Sequence, residues 1–443
     1  MRVSVAIDLA LDRLFTYEVP ETLQKKLAIG QLLSVPFGHR EARGFALEVW
    51  EVAQDVRRKT EDRKCLTPKV SSPDFKVRLV TAIVDETPFF SPALLELVRK
   101  VADYTVSPIE TVLRTALPAA VLKKNARAKE QLFVEPSSLS TLPSSLTARQ
   151  RWLIENIVRL GGGWMQQLCR ELKTTPASLR TLAEKGLVTI EAKAMRRDPL
   201  ANRRILPSKP LPLNAEQRKA LEAICAAQKP ILLFGVTGSG KTEVYLQAIA
   251  AELAAGRGAI VMVPEIALTP QTVGRFASRF GDRVAVLHSA LSDGERYDEW
   301  HRIRSGAARV VVGPRSAVWA PVRDLGLIVV DEEHETSYKQ DETPRYHARD
   351  VAVLRGALEG AKVVLGSATP SLESWMNVKR GKYALAEMAC RAGAGRLPDI
   401  RLVDMRRETG DGGGLIYSPE LIDAVRLRLE RHEQTILFLN RRG

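Results

Sequence analysis

Cysteine is scarce and scattered. The four cysteines of this 443-residue chain, Cys65, Cys169, Cys225 and Cys390, stand far apart, with no C-x-x-C pair and no histidine at ligand spacing. Such spacing indicates neither a zinc site nor a disulfide framework, and a reducing cytoplasm is the expected surrounding. No segment approaches the roughly 18 continuous apolar residues that a membrane-spanning helix needs. Asp8 and Asp12 interrupt the N-terminal stretch where a secretory signal would be uniformly apolar. Acidic residues are also in deficit. Fifty-two Asp and Glu face sixty-six Lys and Arg, a net charge of +14, which favours an anionic partner such as nucleic acid. What remains is ordinary for a folded protein: 45% hydrophobic and 27% charged residues exclude a disordered or fibrous chain. The length implies two to four domains at about 100–200 residues each.

Residues 1–118 open with short alternating apolar runs broken by Pro and Gly, "RVSVAIDLALDRLFTYEVP" and "GQLLSVPFGHREARGFALEVWEV", the pattern of a small β-rich domain. In "SPALLELVRKVADYTVSPIETVLRTALP" apolar residues fall three and four apart, so this domain closes on helices. Residues 119–145, basic and then rich in Ser and Pro, read as a linker. Over 146–195 a helix, a turn at Thr174–Thr175–Pro176, a second helix around Ser178 to Lys185 and a β-like run follow in order, which suggests a winged helix that meets duplex DNA through its second helix. A second linker, 196–210, leads to 211–388. There "PILLFGV", "AIVMVPE", "RVAVLHS", "RVVVGPR", "LGLIVVDEEH" and "AKVVLGSATP" alternate with helical or polar stretches, implying a parallel sheet covered on both faces. The expected fold is multidomain α/β.

The chemistry concentrates in 211–388. Gly235, Gly240, Lys241 and Thr242 satisfy G-x-x-x-x-G-K-[ST] between an apolar run and a helical stretch. Thr237, Gly238 and Ser239 complete the loop, whose backbone N–H groups can cradle phosphate while Lys241 supplies a point charge and the Thr242 hydroxyl a magnesium ligand. Ninety residues on, Asp331 ends an apolar strand, where its carboxylate can hold magnesium opposite that loop. Glu332 beside it can orient an attacking water. Ser367–Ala368–Thr369 ends the next strand, placed to respond to a γ-phosphate.

"GVTGSGKT", "DEEH" and "GSATP" in this order resemble the first lobe of a superfamily 2 helicase. "VPEIALTPQ", "HSALSDGERYDEW", "VVGPRSAVWAP" and "YKQDETPRYHARDVA" narrow the resemblance to the PriA family of replication-restart DNA helicases, across essentially the whole chain. The resemblance implies an ATP-dependent 3′→5′ helicase that uses ATP and Mg2+, recognises stalled forks and starts primosome assembly, with forked and single-stranded DNA, single-strand DNA-binding protein and primosome proteins as partners. It puts Gln217 where such helicases read adenine. It makes Ser337 to Arg349 an aromatic-rich loop that senses single-stranded DNA, with Tyr338, Tyr346 and His347 stacking on bases while Lys339, Arg345 and Arg349 meet phosphates. It makes the N-terminal domain a 3′-DNA-binding domain whose pocket holds Phe15, Tyr17, Gly38 and Arg78, with Thr16 where the family has an acidic residue; a hydroxyl can hydrogen-bond a terminal 3′-OH but is no ionised acceptor.

The resemblance also implies what residues 389–443 should be: an interlobe connector followed by the first strand of a second lobe, "TILFLNRRG". "CRAGAGR", Cys390 to Arg396, mimics the arginine-finger motif of that lobe but comes too early and reads as connector. The family's zinc module and its cysteines are not in these residues, nor are second-lobe arginines, so the 443 residues are expected to bind ATP and DNA but hydrolyse ATP poorly. Two other readings stay open: a double-stranded DNA translocase of repair or restriction, and a non-catalytic fork-binding protein.

Overall fold

Val3, Val5 and Ile7 face one way from strand β1 (Arg2–Ile7) and Ala6 the other, yet both sets are buried. Pleated strands send alternate side chains to opposite faces. The first set packs with Tyr17, Leu33 and Val35; Ala6 joins Leu32, Phe45 and Leu47 in a different core. Strand β1 therefore sits inside a sheet covered on both faces. Its neighbours are β2 (Phe15–Glu18), β3 (Leu32–Phe37), β4 (Arg40–Trp50) and β5 (Ala82–Ile83), in the order β2-β1-β4-β3-β5. A one-turn helix α1 (Glu21–Gln24) links β2 to β3. Helix α2 (Pro92–Thr105) starts where Ser91 accepts a hydrogen bond from the Leu94 amide, and buries Leu94, Leu97, Val98 and Val101. Helix α3 (Ile109–Thr115) follows.

The computed structural model describes residues 1–7, 13–51, 77–118, 129–137, 146–195, 197, 199, 205–392, 399–405 and 416–439. It divides into two units, Met1–Ala392 and Gly393–Gly443. No described helix is long and apolar enough to cross a membrane.

The linker expected over 119–145 is corrected by β6 (Lys129–Pro136). This strand pairs with β7 (Gly163–Trp164) and along its whole length with β8 (Val188–Met195). The basic and Ser/Pro-rich flanks hide its one decisive residue, Val134, which is fully buried among Leu153, Ile157, Leu168, Leu179 and Leu182. Helices α4 (Ala148–Leu160), α5 (Met165–Glu171) and α6 (Pro176–Glu184) supply those leucines. Helix α6 begins where Thr175 caps it with Pro176 in its first turn. The described parts of 196–210 are pinned too: the Arg197 amide donates to Asp298 at 3.0 Å, and the Ser208 amide to the Ser278 carbonyl at 2.9 Å.

The third body of the first unit is a seven-stranded parallel sheet. Its strands are β9 (Ile231–Gly235), β10 (Gly258–Met262), β11 (Val284–Val286), β12 (Val310–Gly313), β13 (Leu325–Asp331), β14 (Lys362–Ser367) and β15 (Ala384–Met388), in the order β11-β12-β10-β13-β14-β9-β15. Helices α7 (Ala215–Cys225), α8 (Lys241–Ala254), α9 (Pro270–Phe280), α10 (Asp293–Ser305), α11 (Ala348–Glu359) and α12 (Leu372–Lys379) cover it. The chain leaves β9 through α8 and re-enters three strands away at β10, so β14 and then β13 insert between. That reversal opens a crevice at the carboxyl ends of β9, β14 and β13, where ligands of open α/β sheets bind.

The N-terminal sheet does not hang from this lobe by a tether. Phe89 stacks on Trp300 of α10 with centroids 5.3 Å apart, and helix α2 lies on α11. The Arg304 guanidinium sits 4.3 Å over the Phe89 ring, pairs with Asp85 at 2.7 Å, and donates to the carbonyls of Pro88 and Thr87. Burial opposes ionisation of Asp85, but Arg304 together with the Thr87 amide more than offsets it and holds the carboxyl below its ordinary range. Arg304→Ala is expected to lower stability by about 2–3 kcal/mol, since it strands two carbonyls and a partly buried charge. The Asp85 share is present above the ordinary aspartate range and lost as pH falls through its depressed pKa. Denaturant titrations at neutral and acid pH measure both; a loss under about 0.5 kcal/mol, typical of a surface substitution, would show the contact to be idle.

In the second unit, helix α13 (Pro419–Glu430) is capped by Ser418. The strand expected from "TILFLNRRG" does not form over its described residues: Ile436 and Phe438 are 96% and 89% exposed. A strand needs a neighbour for its N–H and C=O groups, and none of the described residues pairs with this run.

Candidate active site and nucleic-acid interface

Strand β9 ends at Gly235 and α8 begins at Lys241, leaving five residues to turn the chain. Gly238 and Gly240 take φ of 82° and 83°, a left-handed backbone that only glycine adopts without strain. A Cβ on Gly240 would meet the Gln217 amide nitrogen at 2.4 Å, so the loop also needs glycine for close approach. The Ser239 hydroxyl is buried with no partner. The Lys241 ammonium donates to its own loop at the Gly235 carbonyl, 2.7 Å away.

Strand β13 delivers Asp331 to the same edge, opposite Gly366 of β14. Tyr245, one turn into α8, donates to Asp331 Oδ1 at 3.1 Å. A Cβ on Gly366 would fall 1.7 Å from the Tyr245 hydroxyl, so a glycine there is what lets the tyrosine through. Burial and then the neighbouring Glu332 push the Asp331 carboxyl up to about 6, against the pull of Tyr245 and Lys241. The crevice thus combines an orphaned hydroxyl, a glycine cradle, a lysine at rest on a carbonyl and a carboxylate pair short of positive charge. A nucleotide phosphate with a divalent cation fits that donor set, and Lys241, Thr242 and Asp331 would hold it.

Three consecutive acids after β13 have three different surroundings. Asp331 faces the phosphate loop. Glu332 has φ of 47°, a conformation a non-glycine residue holds only under constraint, and its side chain stays partly open. Glu333 is wholly buried, accepting from the Ser371 amide at 2.7 Å, the Ser371 and Ser374 hydroxyls at 2.9 and 2.8 Å, and Arg349 at 3.1 Å. His334 then reaches back, with Nδ1 2.8 Å from Ser367 Oγ and Nε2 3.4 Å from Thr369 Oγ1, tying the end of β13 to Ser367–Ala368–Thr369.

Several expected DNA contacts are corrected. Tyr338 and Tyr346 are buried, not base-stacking platforms. Tyr338 donates to the Asp331 carbonyl at 2.7 Å, and Tyr346 packs edge-on against Trp319. Arg349 is buried in its pair with Glu333 and is not offered to a phosphate. His347 is half-buried, and burial, then Arg349, depress its pKa. Lys339 and Arg345 remain exposed on the loop, whose ends close through a bridge between Lys339 and His347. Gln217 forms a capping box with Asn214 and donates to the Ser239 carbonyl at 2.9 Å, so its amide braces the phosphate loop.

Beside this loop lies a cavity of about 1000 Å3 lined by Glu265, His288, Arg296, Arg315, Lys339 and His347, among others. Sequence reading missed Glu265, His288, Arg296, Arg315, Tyr245 and Glu333. The stretches "VPEIALTPQ" and "VVGPRSAVWAP" marked their neighbourhood, but nothing in the residue order said which side chains would converge.

In the N-terminal sheet, Phe15 packs edge-on against Phe37 at 5.1 Å. Arg78 donates to the Gly38 carbonyl at 2.7 Å, and Tyr17 donates to the Pro36 carbonyl at 3.1 Å. Burial raises the Tyr17 pKa, with Arg78 pulling it down. Four of the expected pocket residues therefore share one corner. Thr16 is exposed on edge strand β2, and the pleat points it away from the face of Phe15 and Tyr17.

A phosphate loop after one parallel strand, with D-E-E-H ending a strand two places away, is the arrangement of a RecA-like helicase lobe. The pattern described as DEAD/DEAH box helicase matches residues 214–378, and that described as 3′DNA-binding domain matches 4–118. Replication restart protein PriA of Bacillus subtilis is 37% identical over 506 residues, covering 98% of this chain and 61% of the relative. That of Chlamydia pneumoniae is 37% identical over 390 residues, covering 83% and 51%. Over this shared length the chain is similar to these PriA proteins, and it spans about half to three fifths of these curated relatives. The solved Hef helicase domain of Pyrococcus furiosus aligns at 19% identity over 40% of this chain and 38% of that one, with a TM-score of 0.32, too loose a likeness to add to the argument.

Proposed function

We propose that the chain acts in an ATP-dependent 3′→5′ DNA helicase of replication restart, recognising stalled forks and initiating primosome assembly in the cytoplasm. The observation that carries this reading is the convergence of the glycine cradle, Lys241 and Asp331 at one sheet edge, on a lobe fused through Trp300 and Arg304 to the domain matched as 3′DNA-binding. In this reading Lys241 meets the β- and γ-phosphates of ATP, Thr242 and Asp331 hold Mg2+, and Glu332 orients the attacking water. Bound ATP with Mg2+ supplies the phosphoryl group whose hydrolysis drives translocation. Single-stranded DNA follows the cavity beside residues 337–349, its phosphates meeting Arg315, Lys339 and Arg345. Helix α6 meets duplex DNA. Single-strand DNA-binding protein and primosome proteins are the proposed protein partners.

The buried link from Glu333 to Arg349 gives this scheme its coupling: a shift of the DNA-facing loop moves the segment that carries Asp331 and Glu332. The test compares forks ending in a 3′-OH with forks ending in a 3′-phosphate. The corner of Phe15, Tyr17, Gly38 and Arg78 offers a terminal hydroxyl no carboxylate, so the 3′-OH fork is expected to bind roughly two- to tenfold tighter, the worth of one neutral hydrogen bond. Arg78→Ala is expected to weaken both. Equal affinity for the two forks would remove end recognition from the proposal.

A further inference from the structure

The segment Cys390–Ala392, expected to be no more than connector, lies across the phosphate loop. It emerges from β15, the seventh strand, which pairs in parallel with β9. The Val236 amide at the start of the loop donates to the Met388 carbonyl at 3.1 Å. Two residues later the Cys390 amide donates to Glu216 in the first turn of α7 at 3.0 Å. The Ala392 amide then donates to the Gly238 carbonyl at 2.9 Å. Three fixed points in five residues make this a strap with a defined path, anchored on the two elements that frame the nucleotide crevice.

Arg391 is the charged residue of the strap. Its Cγ and Cδ lie 3.8 and 3.9 Å from where a Cβ on Gly238 would stand, and the Ala392 methyl lies 3.4 Å from the equivalent point on Gly240. The arginine stem therefore rests on the turn of the phosphate loop, on the side bounded by α7. Gln217 occupies that side too; with Asn214 and Ser239 engaging its amide, its remaining N–H can meet the edge of a base, and the face is left to a neighbouring group. A guanidinium has a planar face suited to stacking on an aromatic ring system.

We propose that Arg391 is a nucleotide-contacting residue, its guanidinium stacking on the purine of a bound nucleoside triphosphate, so that the strap Cys390–Ala392 forms the base-side wall of the site. The inference rests on the reading of Gly235 to Thr242 as an ATP site. It differs from the sequence expectation, which made this segment an interlobe connector: the contact comes from the strand next to the phosphate loop and concerns the base.

The experiment measures equilibrium binding of ATP, ADP and inorganic tripolyphosphate to the full chain and to Arg391→Ala, Arg391→Lys and Lys241→Ala, with unfolding curves confirming that each variant folds. Arg391→Ala is expected to weaken ATP and ADP alike, by roughly 3- to 30-fold, the span of a cation–π contact between exposed and desolvated settings, while tripolyphosphate competes unchanged. Arg391→Lys should recover part of the loss. Parental ATP affinity in Arg391→Ala, with Lys241→Ala still defective, overturns the inference and leaves the ATP site standing. An equal loss for tripolyphosphate overturns the base assignment. A parent chain that binds no ATP overturns both readings together.

Discussion

Lys241→Ala is expected to weaken binding of ATP with Mg2+ by about 30- to 150-fold. A unit charge about 4 Å from a phosphate gains about 4 kcal/mol at an effective dielectric of about 20. Against this stands the bond from Lys241 to the Gly235 carbonyl, 2.7 Å long, which must be released on binding at about 1 kcal/mol. With some desolvation, about 2–3 kcal/mol remains, and each 1.4 kcal/mol is about tenfold. Calorimetric or fluorescent-nucleotide titration reads the change directly. The fold should barely respond, because the lysine holds only that one carbonyl. An affinity within twofold of the parent would mean that phosphate is not bound where the loop geometry puts it.

Glu333→Ala is expected to lower stability by about 3–5 kcal/mol, the range for removing one member of a buried ion pair. The carboxylate has no solvent exposure and takes four hydrogen bonds. Without it the buried Arg349 keeps only Ser371 and Asp350, and the Ser371 amide is left facing a void. Replacing both partners, Glu333→Met with Arg349→Met, should recover much of the loss, since an apolar pair leaves no stranded charge. Denaturant titration of the two singles and the double gives the coupling. Additive effects would mean that the two side chains do not hold each other. The same cycle scored by DNA-stimulated ATPase asks whether the link also carries the signal from residues 337–349 to Glu332.

Much of the motor lobe is legible in residue order because its signals are local. The glycines of "GVTGSGKT" set left-handed turns within six residues, and the β-branched runs announce buried parallel strands without reference to anything distant. Helix starts are equally local: Ser91, Thr147, Thr175, Asn214 and Ser292 cap the helices that follow them. The errors share a different cause. Tyr338 and Tyr346 sit in a polar, Pro-containing stretch that reads as exposed loop, and only packing on Trp319 and the Asp331 backbone buries them. Val134 is a single residue in a basic and Ser-rich setting, and its strand exists because β8 lies alongside.

By itself the sequence determined the class of fold, the phosphate loop, the acid that ends β13 and the kinship with replication-restart helicases, since each rests on residues contiguous in the chain. Only the tertiary structure decided that Glu332 is left-handed and Glu333 buried. It alone joined the N-terminal sheet to the motor through Arg304 and Asp85, more than two hundred residues apart, and laid Cys390 against Glu216 across a separation of 174. Periodicity and turn chemistry act over a few residues, whereas burial and ion pairing are settled by whichever distant segments the strand order brings together.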